Sequence, residues 1–469
     1  MSSKGSSPYP PLIKSDGKGI KRPYSWPATP GSFIPGGALP LREIPLFKPT
    51  YDEFKDEIKY LTSEEIQKAG RKFGVIKIQT PLEWVPQDDE SQKKLRASLE
   101  SALPILVQHF VPHDKTQQSF SIERGMARQL TLQQYQAETL RKDNELEATL
   151  RKTPKFKNLV GVLKEREMDE KALEKETPEQ KRRRESKVRE KYFKTRVIQE
   201  STMYGADFSG SAMRTDLECW NFSSKDFPCL TKDLDEETIA QECGYVSMDG
   251  VKTLDGVKLP YLYIGSYGST FACHTEDGDC YSANYLHDGD PKVWFGVPCY
   301  ASEAFEAVAR QLIPKGDDFP QCPAFLREKS TLIHPDLLLA RGIPVFTTHQ
   351  RPGDLVITFP YAYHWGFNSG HNLAEARNVT TKDWIPFGLA AKKCKCHPDP
   401  FPVEYVHEIA KKHDPKSARV FEIARDDNRP FPRPKLDVIP SEEYAAVEES
   451  EPKAGKLKSI LKPEKRSSN

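Results

Sequence analysis

At 469 residues the chain is long enough for roughly two to three domains and for a sizeable buried core. With 37% hydrophobic and 29% charged residues and a mean hydropathy of −0.65, it is too polar to be packed throughout, so disordered or solvated helical segments are expected. The net charge of +1 carries no signal for nucleic acid, and no apolar run approaches the roughly 18 residues that a membrane span needs.

Residues 1–40 are rich in Pro, Gly, Ser and Lys and read as a disordered tail. They have no apolar stretch after the first basic residues, so no secretory signal is expected. Residues 43–86 make a compact unit. EIPLFKPT looks extended, Tyr51, Phe54, Ile58 and Leu61 recur at helical spacing, and FGVIKIQTP reads as a strand. Residues 131–195 are Gly-poor, mixed in charge and helix-favouring, which predicts a solvent-exposed helical insertion. Within it Lys181, Arg182, Arg183 and Arg184 form a basic run, a candidate nuclear-localisation or DNA-contact element. From about 204 to 390, short Gly/Pro-punctuated runs such as YLYIGSYGSTFACHTED, KVWFGVP and DLVITFPYAYHWGFNSG predict a β-sandwich or barrel. The last stretch, acidic then basic, reads as a second tail. Nine cysteines, an odd count without regular spacing, argue for a reducing compartment rather than a disulfide framework.

The chemistry concentrates in FACHTED and YAYHWGFNSG. Alternation in an extended strand puts the His274 imidazole and the Glu276 carboxylate on one face. His364, expected at the end of a hydrophobic strand, supplies a third ligand. Two His and one carboxylate occupy one face of an octahedron and leave positions open, the arrangement of non-haem Fe(II) oxygenases.

The segment PYLYIGSYGSTFACHTEDGDCYSANYLHDGDPKVWFGVP resembles the catalytic core of the Jumonji C histone lysine demethylases. PTYDEFKDEIKYL and PLEWVP resemble the Jumonji N segment, and YGADFSGSAM and CPAFLREKSTLIHPDLLLARGIP continue the match, nearest to lysine demethylase family 4. The resemblance implies an α+β chain whose core is a double-stranded β-helix (a cupin-like jelly roll), with a JmjN segment, flanking helices and disordered tails. It divides the chain into a tail (1–40), JmjN (41–86), a linker region (87–130), the charged helical insertion (131–200), JmjC with a zinc site (201–398), a C-terminal helical segment (399–438) and a tail (439–469).

It further implies Fe(II) on His274, Glu276 and His364, with 2-oxoglutarate as cosubstrate. Tyr204 and Lys292 match the hydroxyl and cation for the distal carboxylate, Asn284 an amide near the metal, Phe271 a flanking ring and Trp294 a pocket wall. Period two puts Lys292 and Trp294 on one face, but it puts Phe271 opposite His274 unless a bulge intervenes. The implied reaction decarboxylates 2-oxoglutarate to succinate and CO2, hydroxylates an N-methyl group and releases formaldehyde. Tyr261 or Tyr263, together with Glu276, would face the methylated cation.

Two departures stand out. Where related chains carry two small hydroxyl residues after a Glu, this one has Ala376 and Arg377. A guanidinium aimed into the methyl pocket would repel a trimethylammonium. Arg377 therefore either turns outward, selects another substrate or weakens turnover. Cys322, Cys394 and Cys396 match three thiolates of a structural zinc site, but the family's His position holds Glu328, so Glu328 or His397 is the candidate fourth ligand. The remaining cysteines, with His287 and His334, read as structural. The expected protein is a nuclear demethylase of methylated histone H3 within chromatin, with lysine 9 and lysine 36 as first candidates and DNA contact, if any, through the basic insertion or tails. Demethylation of lysine 4, hydroxylation of a non-histone protein and a non-catalytic chromatin scaffold are the alternatives.

Overall fold

The computed structural model describes residues 39–86, 102–161, 175–199, 201–234, 256–313, 321–396 and 401–434, without 197 and 428 and with 88, 90 and 93 singly; both expected tails lie outside the described residues apart from 39 and 40. In chain order the strands are β1 (Arg42–Glu43), β2 (Leu46–Phe47), β3 (Val75–Gln79), β4 (Leu103–Pro112), β5 (Ser119–Arg124), β6 (Arg128–Leu130), β7 (Ser201–Ser209) and β8 (Tyr261–Gly265). They continue as β9 (Thr270–His274), β10 (Tyr281–Gly289), β11 (Lys292–Val297), β12 (Thr331–Ile333), β13 (Phe346–Gln350), β14 (Asp354–Thr358), β15 (Tyr363–Asn368) and β16 (Asn372–Val379).

Two sheets result. The smaller has the order β1-β13-β11-β15-β9, and the larger the order β12-β5-β4-β7-β8-β16-β10-β14-β3-β2, with β6 on β4. Neighbours such as β10–β16, β11–β15 and β9–β15 pair antiparallel between segments far apart in sequence, as a jelly roll requires. The expected cupin-like core with flanking helices is therefore present.

The N-terminal unit closes both sheets. β3 pairs with β14, β2 lies parallel to β3, and β1 lies parallel to β13, so residues 42–79 cover edges that would otherwise be open. Three helices, Tyr51–Phe54, Glu57–Leu61 and Glu64–Phe73, connect these strands. Thr50 and Glu53 form a capping box at the first. The last ends on Gly74, whose φ of 74° and 2.8 Å approach to the Val297 carbonyl exclude a side chain.

Two sequence expectations need correction. The expected linker holds β4, β5 and β6, which extend the large sheet through β4–β7 and β5–β12 pairing. The helical insertion is packed rather than solvent-exposed. Helix Leu132–Lys152 buries Tyr135, Leu146 and Leu150, and the Tyr135 hydroxyl donates to the carbonyls of Met203 and Ile264 at 3.0 Å. Helix Pro178–Thr195 buries Val188, Tyr192 and Phe193, and Tyr192 stacks on Phe367 with ring centroids 3.7 Å apart. Each helix has one narrow apolar stripe among many charges, so composition hides a face that the sheets cover. In the basic run, Arg184 is forked onto Glu176. Beyond Trp384, helices Ile385–Leu389, Val403–His413 and Pro415–Asp426 complete the described chain.

Candidate active site

β9 ends on His274, and the extended backbone of Glu276 leads into a short turn, Asp277–Asp279. His364 is the second residue of β15, so it begins a strand rather than ending one. β9–β15 pairing sets His364 directly opposite His274. His364 Nε2 lies 3.1 Å from Glu276 Oε1, His274 Nε2 lies 3.9 Å from the same oxygen, and the two rings are 4.3 Å apart. Cis ligands on an octahedron with bonds of roughly 2.1 Å are about 3 Å apart, so the closer edge already has metal-site dimensions.

The imidazoles are oriented from behind. His274 Nδ1 meets the Ala272 carbonyl at 2.7 Å and His364 Nδ1 meets the Ala362 carbonyl at 3.2 Å. A carbonyl can only accept, which puts the proton on Nδ1 and leaves both Nε2 lone pairs facing the centre. Burial first, then the neighbouring His364 and Lys329, push His274 well below its usual value and keep the ring neutral. Burial alone would raise Glu276, but His364, His274 and Lys329 outweigh it and hold the carboxyl below the usual carboxylate range. Neutral imidazoles and an ionised carboxylate are the forms that bind a metal.

A cavity of about 140 Å³ opens onto this triad, and Tyr204, Tyr261, Tyr263, Phe271, Asn284, Lys292, Trp294, Ala376 and Arg377 all border it. Lys292 is 2% exposed and donates to the Tyr204 hydroxyl and Asn368 Oδ1, both at 3.1 Å. Burial brings its ammonium down to about 7, and no carboxylate among the described residues offsets that burial. A buried cation held only by neutral groups fits an anionic ligand.

Phe271 reaches the cavity through the bulge that strict alternation forbids: β9–β15 pairing shifts between His364 and Gly366, which bring Phe271 opposite Gly366. A Cβ at Gly366 would come within 2.5 Å of the Phe271 ring, so that residue must lack a side chain. Trp294 donates to Gln350 at 2.8 Å, and Gln350 donates to the Asn284 carbonyl at 2.8 Å. These two amides, Asn368 and Gln350, escaped sequence reasoning because isolated Asn and Gln carry no motif. Asn378 escaped it as well, although it lies two residues from Ala376 and therefore on the same face; its Nδ2 donates to Glu276 Oε2 at 3.1 Å.

Ala376 pairs with Tyr261 on one side and Asn284 on the other. Arg377, next along β16, also borders this cavity, and its side chain is buried. Its guanidinium donates to the carbonyls of Phe222, Ser224 and Val257 and lies 4.6 Å from the Phe227 ring centroid. His287 pairs with Glu375 at 2.9 Å, both side chains fully buried, and His334 caps helix Pro335–Leu339. Both are structural.

The second cluster gathers Cys322, Glu328, Cys394 and Cys396, with all four ligand atoms within 4.8 Å of one another. Cys322 Sγ and Cys394 Sγ are 3.8 Å apart, and Cys394 Sγ is 3.3 Å from Glu328 Oε1. That sulfur separation is far too long for a disulfide and equals the edge, about 3.8 Å, of a tetrahedron with Zn–S bonds of about 2.3 Å. Backbone N–H groups of Lys395 and Cys396 donate to Cys322 Sγ and Cys394 Sγ, as thiolates need. Glu328 is the fourth group of this cluster, and the alternative, His397, lies outside the described residues. Of the other cysteines, 219, 229, 273, 280 and 299 are buried, and Cys243 lies outside the described residues. We expect about one zinc per chain by elemental analysis of purified protein, lost in Cys394→Ser; zinc-free wild-type protein with an unchanged melting temperature contradicts the site. A larger cleft of about 920 Å³, between helices Leu132–Lys152 and Pro178–Thr195, contains neither metal-binding group.

Residues 45–79 match the jmjN domain and residues 261–379 match the JmjC domain of hydroxylases. JmjC domains generally use Fe(II) and 2-oxoglutarate, and the donor set of His274, Glu276 and His364 fits that metal. The chain is 34% identical over 357 residues to lysine-specific demethylase 4D of Rattus norvegicus, covering 75% of this chain and 58% of the relative. It is 34% identical over 363 residues to lysine-specific demethylase 4B of Mus musculus, covering 77% of this chain and 28% of the relative. It is 44% identical over 194 residues to probable lysine-specific demethylase 4F of Homo sapiens, covering 41% of this chain and 28% of the relative. The chain thus spans less than two thirds of the length of these relatives. With a jmjN and a JmjC domain match in one chain, closing one jelly roll around a His-Glu-His centre, it is similar to the lysine-specific demethylases of group 4.

Proposed function

We propose that the chain is an Fe(II)- and 2-oxoglutarate-dependent dioxygenase that demethylates methyl-lysine in the histone H3 tail, lysine 9 and lysine 36 being the first candidates, and that it acts in the nucleus on chromatin. The observation that carries this reading is the buried Lys292 ammonium, which has no carboxylate partner among the described residues, in the same small cavity as three convergent metal-binding groups.

Bound Fe(II) and 2-oxoglutarate supply the oxidising chemistry that hydroxylates an N-methyl carbon, after which the hydroxymethylamine releases formaldehyde. The protein's part is to bind and orient. Lys292 and the Tyr204 hydroxyl take the distal carboxylate of the cosubstrate, while Asn284, Phe271 and Trp294 wall its slot. Tyr261 and Tyr263 present aromatic faces to the methylated ammonium. Asp207 and Asp277, also on the cavity wall, add carboxylates that favour a cation. Ala376 leaves space for the methyl groups. Three backbone carbonyls engage the Arg377 guanidinium, which supports a pocket open to a methylated cation; demethylation of lysine 4 and hydroxylation of a non-histone protein are the alternatives.

Mass spectrometry of trimethylated and dimethylated H3 peptides incubated with Fe(II), 2-oxoglutarate and ascorbate tests the proposal. Stepwise loss of 14 mass units per methyl (about, as CH2), absent with His274→Ala, is the expected result. Succinate without peptide turnover points to another substrate; no succinate and no methyl loss favours the scaffold.

A further inference from the structure

Both turns that carry metal ligands are built on strained backbone. The turn after Glu276 contains Gly278 and Asp279, with φ of 58° and 48°, and the turn before His364 contains Tyr361, with φ of 57°. Left-handed conformations at Asp279 and Tyr361 persist only where the surroundings hold them. One side chain from far outside the JmjC match touches both. Arg433, in the segment 429–434 after helix Pro415–Asp426, donates from Nη1 to Asp279 Oδ2 at 3.0 Å. Its guanidinium carbon lies 3.5 Å from the Tyr361 ring centroid, and Nη2 donates to the Ala390 carbonyl at 3.0 Å.

The partners of Asp279 extend the tie. Its carboxylate is 1% exposed and accepts from Thr275 Oγ1 and from Arg327 Nη2, both at 3.0 Å. Arg327 also donates to the Lys392 carbonyl and is adjacent to Glu328 of the cysteine cluster. Tyr361 and Tyr363, which flank the start of β15, both donate to Glu306, which also pairs with Lys392. Arg433 therefore sits where the Glu276 turn, the His364 turn and the chain leading to the cysteine cluster meet. Its planar fork and flat face let one group hydrogen-bond one turn and stack on the other, which a lysine cannot do.

We propose that Arg433 is a positioning residue for the metal centre: the segment 429–434 is a strap that fixes the spacing of Glu276 and His364. This rests on the oxygenase reading for the identity of the centre, but its test needs no substrate. Groups that orient metal ligands typically change metal affinity by roughly 10- to 100-fold when removed. In the full chain with the cysteine cluster first filled by Zn(II), Arg433→Ala should weaken binding of Co(II) at the triad, read from its visible absorption bands, by about that factor, and change the band shape. Arg433→Lys, which keeps the charge without the fork or the stacking, should fall between, and millimolar methylguanidine should restore Co(II) affinity to Arg433→Ala while leaving that of wild type unchanged.

A fall in melting temperature with unchanged Co(II) affinity and spectrum in the folded Arg433→Ala protein overturns the proposal, as does an Arg433→Lys protein indistinguishable from wild type. Failure of the wild-type chain to bind Co(II) at the triad overturns the oxygenase reading and this inference together, whereas wild-type binding that Arg433→Ala leaves intact overturns this inference alone.

Discussion

His364→Ala lowers kcat/KM for peptide demethylation by about 10³-fold or more, the effect of losing several kcal/mol of metal-derived stabilisation at about 1.4 kcal/mol per tenfold. His364 Nε2 is the nearer of the two imidazoles to Glu276, at 3.1 Å, and faces His274 across the β9–β15 pairing. Without it, two donors remain, and the metal loses both affinity and a fixed orientation. Glu276 also loses the neighbour that does most to hold it ionised against burial. Its carboxyl therefore rises toward or above the ordinary value, and proton competition further weakens metal binding as pH falls. The fold is expected to survive, because β15 keeps its pairing with β11 through Val297, Gly296, Phe295 and their partners. Turnover, iron content and melting temperature measured on one preparation check this: lost turnover and iron with a transition still cooperative. Retained iron and turnover in His364→Ala contradict the assignment of this residue.

Much of this centre was legible in the sequence because its logic is periodic. His274 and Glu276 are two apart in extended chain, Lys292 and Trp294 two apart on β11, and Tyr261 and Tyr263 two apart on β8; each pair borders the same cavity. Alternation also predicted where it must fail, at Phe271, and the β9–β15 bulge is the local device that brings that ring in. Pairing across long separations was not legible. The run LPILVQHFVP is bracketed by prolines and short of charge, yet nothing in it names β7 and β5 as partners. The helices of 131–195 misled for a different reason: their charges outnumber one thin buried stripe, and burial depends on a sheet contributed by other segments. Arg377 illustrates the remaining gap. Its side of β16 follows from alternation with Ala376, but the three carbonyls that receive its guanidinium belong to Phe222, Ser224 and Val257, which no local pattern places there.

Lys292→Ala weakens 2-oxoglutarate binding by roughly 30-fold to a few thousand-fold, corresponding to the about 2–5 kcal/mol that truncating one partner of a buried charge pair costs. The effect is large because the site is buried and sparsely partnered: the ammonium has the Tyr204 hydroxyl and Asn368 Oδ1, and Phe271 lies with its ring centroid 4.6 Å away. The same burial makes the interaction pH-dependent in a direction that can be worked out. Without an anion, Lys292 has been brought from 10.5 down to about 7, so above neutrality the folded chain has lost a proton that the unfolded chain retains. Between about pH 7 and 10.5 the unfolded state binds more protons, and this group's contribution to stability rises with pH. Binding of the dicarboxylate favours the ammonium again, so at pH 8 the complex takes up a proton, approaching one per site, and affinity falls as pH rises above 7. Isothermal titration in buffers of different ionisation enthalpy measures that uptake directly. Wild type should show it, and Lys292→Ala should lose both the uptake and most of the affinity. Affinity independent of pH from 6.5 to 9 (roughly, spanning the shifted value), with no proton uptake, removes Lys292 from the cosubstrate slot and leaves its unpaired burial without a ligand to explain it.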